Sequence, residues 1–114
     1  MHETSIALSL LEIATGHCKK EGYKGIESIK VRVGKASGIM PDALLFAFDA
    51  IKIDTIAEKA ILSIEEIPVS GFCSGCKSNF SVEEAYVLYC PKCGDVSLQI
   101  ETGRELDIYE MEVF

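Results

Sequence analysis

Two pairs of cysteines, Cys73-x-x-Cys76 and Cys90-x-x-Cys93, stand thirteen residues apart. Each pair can come from one tight turn and occupy two corners of a tetrahedron, so the two together offer a closed set of four thiolates. That set suits zinc, a closed-shell, borderline-soft ion that is commonly four-coordinate with sulfur. Gly75, Pro91 and Gly94 lie where such turns need freedom or stiffness. A redox dithiol is the competing chemistry. It needs one pair at a helix start in a βαβ context, and two turn-flanked pairs do not match that. A closed four-thiolate site leaves no open position, which makes the expected zinc structural rather than catalytic. Cys18 stands apart and reads as a small residue at the edge of a core.

The chain begins Met1-His2-Glu3. The terminal amine, the His2 backbone nitrogen and its imidazole can close fused chelate rings in one plane, a geometry that favours Ni²⁺ or Cu²⁺. Taken alone, an N-terminal Met-His is usually just a frayed end. The only other histidine, His17, reads as a solvated residue near a helix end. No paired histidine–carboxylate, nucleophile elbow or phosphate loop supports catalysis, so no enzyme is expected.

The 114 residues carry a formal charge of −7 and are 48% hydrophobic. A folded core is expected, but in so short a chain a metal staple would help. The charge is a poor match to a nucleic-acid backbone or an anionic membrane. Between Cys73 and Cys93 the cations are Lys77 and Lys92, against Glu83 and Glu84. With no secretory signal and no long apolar run, a cytoplasmic protein is expected, and its five cysteines should not be disulfides there.

The elements that would position these groups follow from periodicity. Ile6, Leu10, Ile13 and Ala14, with Leu11 and Cys18 beside them, mark an amphipathic helix over about 4–20. Ile29, Val31 and Val33 alternate with Lys30 and Arg32 as a half-buried strand. Residues 34–40 read as a loop. Pro41 and Asp42 open a second helix, to about Lys52, that buries Leu44, Leu45, Phe48 and Ile51. A strand is predicted over 60–69, then loops around the cysteines from Phe72 to Val96, then strands over 96–101 and 105–114. In the last stretch the apolar phase shifts between Ile108 and Tyr109, as a bulge or a strand serving two faces would require.

Met1-His2-Glu3, Ser5 before the helix, the Cys-x-x-Cys and Cys-Pro-x-Cys-Gly knuckles, and Gly103-Arg104-Glu105-Leu106 before Met111-Glu112-Val113 occur in one order. Together they closely resemble HypA, the hydrogenase maturation nickel metallochaperones, over nearly the whole chain. The resemblance implies an α+β fold: a small helix-and-sheet nickel-binding domain, 1–70 plus 102–114, with a zinc-ribbon-like four-cysteine domain, 71–101, inserted before a final strand that returns to the first sheet. It maps nickel binding onto Met1, His2 and Glu3, zinc onto Cys73, Cys76, Cys90 and Cys93, and onto Asp42 a carboxylate that accepts the other N–H of a metal-bound His2 imidazole. It implies a nickel-handling GTPase and the large subunit of nickel-iron hydrogenase as partners. This chain lacks the histidines that some members carry beside the zinc cysteines, so a further nickel ligand must come from Glu3, water or a partner. The alternative reading is a zinc-ribbon interaction module without nickel delivery.

Overall fold

A computed structural model describes residues 3–114. Met1 and His2, two of the three expected nickel ligands, lie outside the described residues. The element order is α1 (Glu3–Glu21), β1 (Ile26–Gly34), a 3-10 turn (Lys35–Ser37), α2 (Pro41–Ile51), β2 (Ile61–Ile67), β3 (Val69–Cys73), β4 (Ser78–Val82), β5 (Leu98–Thr102) and β6 (Leu106–Val113). Two three-stranded sheets result, with strand orders β2-β1-β6 and β4-β3-β5. The mixed helix-and-sheet class is as expected.

The chain forms two compact units. The first comprises Met1–Val31, Ile39–Glu65 and Asp107–Phe114, and the second Arg32–Gly38 and Glu66–Leu106.

In the first unit, α1 buries Ile6, Ala7, Leu10, Leu11, Ala14 and Cys18. Ile13 corrects the expected stripe, being 61% exposed. At about 100° per residue it falls just outside the arc whose margin is Ile6. α2 begins at Pro41, whose missing N–H and fixed φ suit a first turn, and buries Leu44, Ala47 and Phe48. Leu45 and Ile51 are only half-buried. The apolar alternation of β1 places Ile26, Ile29 and Val31 in the core.

The final strand does return to the first sheet, where β6 pairs with β1. Ser28 donates to Glu112 Oε1 at 3.3 Å, and the Lys30 ammonium meets Glu110 at 3.0 Å. Partner numbers fall as β1 numbers rise, so the pair is antiparallel. At the far end Gly25 and Phe114 exchange backbone hydrogen bonds at 3.2 and 3.1 Å. A Cβ on Gly25 would lie 2.3 Å from the Phe114 ring, so a side chain there would displace the ring.

The second unit is broader than the cysteine stretch 71–101. β3 starts at Val69 and pairs antiparallel with both β4 and β5. Ser70 and Thr102 join by their hydroxyls, and Thr102 donates to the Pro68 carbonyl at 2.9 Å. Residues 32–38 also belong to this unit. The Gly34 amide donates to Glu105 O at 2.8 Å, the Ala36 amide to Gly103 O at 2.7 Å, and Lys35 pairs with Glu83 at 2.9 Å. The two backbones approach so closely that a Cβ on Gly34 would sit 2.1 Å from the Gly103 carbonyl carbon.

Candidate metal centre

Cys73 ends β3, Cys76 closes the turn that leads into β4, and Cys90 and Cys93 lie on the loop before β5. Each cysteine pair bends back through a residue in the left-handed region immediately after its second cysteine: Lys77 at φ 55° and Gly94 at φ 81°. Gly94 takes this conformation without penalty, whereas Lys77 carries a Cβ into it. Gly75 serves a different need from the turn freedom expected of it. A Cβ there would meet the Asp95 carboxylate at 2.2 Å.

The second knuckle is closed by its own backbone. The Gly94 amide donates to Cys90 O at 2.8 Å, and the Cys90 amide to Asp95 O at 2.7 Å. Asp95 in turn accepts the Ser97 amide at 2.9 Å, and that bond holds its carboxyl below the usual carboxylate value. Phe80 packs with buried Cys73 and Cys90, and Val82, Val87, Leu98 and Ile100 surround them.

All four sulfurs lie within 4.8 Å of one another. Cys73 Sγ is 3.6 Å from Cys93 Sγ, and Cys76 Sγ is 3.8 Å from Cys90 Sγ. A disulfide needs about 2.05 Å, so these are free thiols. A regular tetrahedron with metal–sulfur bonds of about 2.3 Å has edges of about 3.8 Å, so the cluster has the size of a four-thiolate metal shell.

Charge points the same way. Burial opposes ionisation of Cys90, but the N–H groups of Lys92 and Cys93 and the neighbouring thiols outweigh it, and its thiol is lowered to about 7. Cys93 accepts the Asp95 amide, which favours its thiolate. Burial and the three neighbouring sulfurs overcome that and push it up to about 12. Cys90 thus gives up its proton readily and Cys93 holds its own. A cation among the sulfurs removes the conflict.

Of the other expected site residues, Glu3 and Asp42 are described, each in the first turn of a helix of the first unit. Glu3 opens α1, and its Oε2 accepts the Met40 amide at 3.2 Å. Met40 is the N-cap of α2 and has no side-chain cap of its own, so Glu3 caps that helix from outside. Asp42 lies in the same first turn and is exposed. His17 is exposed on α1. Cys18 is fully buried rather than at a core edge, and burial pushes its thiol up. The spacing argument missed the backbone donors to sulfur, Lys92 N to Cys90 and Asp95 N to Cys93, each at 3.4 Å. The Pro-x-Cys-Gly tail of the second pair was their only sequence sign.

Fold and site together define a small α+β metal-binding protein with a four-cysteine centre. A family model described as hydrogenase/urease nickel incorporation, metallochaperone, HypA, matches residues 1–113. Hydrogenase maturation factor HypA of Roseiflexus sp. (strain RS-1) is 38% identical over 112 residues, covering 98% of this chain and 91% of that protein. Its counterpart from Geotalea daltonii is 38% identical over 113 residues, 99% of each. The solution structure of the Ni metallochaperone HypA from Helicobacter pylori superposes with a TM-score of 0.69 at 27% identity, over 99% of this chain and 97% of that one. A further HypA solution structure gives 0.71 at 27% identity, over 100% and 97%. The chain belongs to the HypA family of nickel metallochaperones for hydrogenase maturation.

Proposed function

We propose that this chain captures Ni²⁺ at Met1, His2 and Glu3 and delivers it for maturation of nickel-iron hydrogenase, while Cys73, Cys76, Cys90 and Cys93 hold a structural zinc. The observation that carries the reading is the HypA relationship over residues 1–113, which takes in the terminal Met-His-Glu. Nickel is cargo. Capture must be selective yet reversible, and a terminal chelate meets both needs because a receiving protein can replace its ligands one at a time. Thiolates suit zinc and planar nitrogens suit nickel, so ligand type and geometry sort the two ions.

Glu3 supports the reading from its place at the start of α1. Its carboxylate accepts the Met40 amide, and its backbone nitrogen or side chain is a candidate further donor. Asp42, in the same helical turn as that contact, suits an outer partner for the His2 imidazole, since metal-bound imidazoles commonly donate their other N–H to a carboxylate. The zinc holds the second unit's loops together and performs no reaction. A nickel-handling GTPase and the hydrogenase large subunit are the proposed partners, and the proposed compartment is the cytoplasm. Among the described residues no helix is long and apolar enough to cross a membrane.

The test is nickel titration and metal analysis of the untagged protein. His2→Ala should lose nickel and keep zinc. Adding residues before Met1 should weaken nickel binding even with His2 present. Unchanged nickel titrations for both variants would remove the terminal chelate.

A further inference from the structure

α2 turns one face to the core of the first unit, where Leu44, Ala47 and Phe48 are buried. Its opposite face is not polar. Phe46 is 79% exposed, and Ile53, just past the helix end, 59%. Ala43 is half-buried and Ala50 exposed. Residues 43, 46, 50 and 53 follow at steps of three, four and three, the spacing of the apolar seam by which one helix packs lengthwise on another. At about 100° per residue, Ala43 and Ala50 lie to one side of Phe46. Asp42 and Asp49, both exposed and seven residues apart, lie to the other. The ring thus stands between two side chains small enough to admit a neighbouring helix and two carboxylates placed as the charged flanks of such a seam are.

Neither the ring nor the second carboxylate serves α2 itself. An exposed phenylalanine gains nothing from burial in its own chain. Asp49 stands in the last turn, at the negative end of the helix dipole, where a carboxylate is disfavoured. Lys52 pairs with it at 3.1 Å, but the same ammonium donates to Ala60 O at 2.9 Å and lies over the Phe48 ring. Within its own span α2 holds these two acids and no cation.

The flank selects the occupant. A second copy docked along the same face would add two more carboxylates and no cation. An anionic membrane or a nucleic acid would be repelled in the same way. A helix with an apolar stripe of its own, bordered by lysine or arginine, answers both the ring and the acids. We propose that α2 is the docking site for such an amphipathic helix of another protein, its stripe packed on Ala43, Phe46, Ala50 and Ile53 and its cations along the Asp42 and Asp49 flank. α2 offers only about three turns, so the contact is small and suits exchange rather than permanent assembly. The docked helix would run along the element whose first amide is held by Glu3.

The probe is a stapled, monomeric helical peptide with leucine along the stripe and lysine at its flanks, labelled and titrated by fluorescence anisotropy with the zinc-loaded, nickel-free protein. It should bind. A peptide of the same composition in scrambled order, and one with glutamate at the flanks, should bind about tenfold more weakly or worse. Phe46→Ala and Ala50→Arg should each weaken the lysine-flanked helix by about tenfold or more, with melting temperatures unchanged because neither side chain lies in the core. Asp49→Lys should weaken it by about threefold or more and strengthen the glutamate-flanked helix. No binding by the native chain overturns the proposal. So does equal binding of the scrambled or glutamate-flanked peptide, or native affinity in both Phe46→Ala and Ala50→Arg. A dimer of the native chain that Phe46→Ala dissolves, read by sedimentation velocity, would make a second copy the occupant and also overturn it. None of these readouts involves nickel, so the proposal stands or falls apart from the delivery reading.

Discussion

Cys90 carries more of the metal centre than its position in a spacing pattern shows. It is buried beside Phe80, receives the Lys92 amide on its sulfur, and anchors the Gly94 amide through its carbonyl. Replacing it removes a thiolate, a packing partner and one corner of the shell that would hold a cation among the other three sulfurs. Cys90→Ala should therefore lose zinc. Because structural zinc sites contribute on the order of 10 kcal/mol of binding-coupled folding, amide protection across about 72–96 should go with it, while α1 and α2 remain helical. Zinc analysis and hydrogen exchange read both effects. Stoichiometric zinc with intact protection would show that the four-cysteine assignment is wrong. Cys18 is the internal control: also a thiol, also buried, but on α1 and outside the four-cysteine cluster, so Cys18→Ala should leave zinc content unchanged.

At the scale of elements, the two knuckles repeat one backbone plan with unequal residues. Lys77 and Gly94 occupy equivalent left-handed positions, and only the second is glycine. Lys77→Gly should stabilise the zinc-loaded protein by about 1 kcal/mol, and Gly94→Ala should cost a similar amount. Thermal melts with zinc bound would show shifts of opposite sign, and shifts of the same sign would contradict the strain argument. The same plan explains what the sequence could and could not disclose. Pro41 and the apolar stripes set both helices to within a residue or two. The knuckle spacing identified the cysteines that the fold gathers. The predicted strand over 60–69 is two elements, because Pro68 cannot continue the ladder and Val69 starts β3 in the other sheet. β4 was read as loop. Its only alternation, Phe80 and Val82 among Ser78, Asn79 and Ser81, is short and lies among turn residues. It becomes a strand because β3 supplies a pairing partner from Val69 to Cys73. The docking of Gly34 and Ala36 onto Glu105 and Gly103 had no periodic signal, since it is made by backbone atoms about 70 residues apart in the chain.

Across the whole molecule, the chain passes between its two units at Val31/Arg32, Gly38/Ile39, Glu65/Glu66 and Leu106/Asp107. Sequence reasoning located an exit near Glu65–Pro68 and a return near Thr102–Arg104. The passage through residues 32–38 adds two further crossings, and it leads on to Met40, whose amide donates to Glu3. Cys73 ends β3, β3 pairs with β5, and β5 runs to Thr102. The next residue, Gly103, accepts the Ala36 amide, and four residues after Ala36 the Met40 amide is held by Glu3. Each step is a hydrogen bond or a short covalent link, and the last is made by the Glu3 carboxylate, so the chain of contacts from the cysteine loops ends at Glu3. Coupling also requires two populated arrangements to which nickel binds unequally, and its usual size is about 1–3 kcal/mol, or roughly 5- to 150-fold in affinity. Nickel should therefore bind zinc-loaded protein and a Cys73→Ala/Cys76→Ala form with affinities that differ within that range, provided circular dichroism shows the helices of the variant intact. By reciprocity, nickel should shift zinc affinity in the native chain by the same factor. A competing chelator titrated with and without nickel measures that shift without any mutation. Equal affinities in both experiments would leave the cysteine unit as a docking element alone, with nickel capture confined to the residues that open α1.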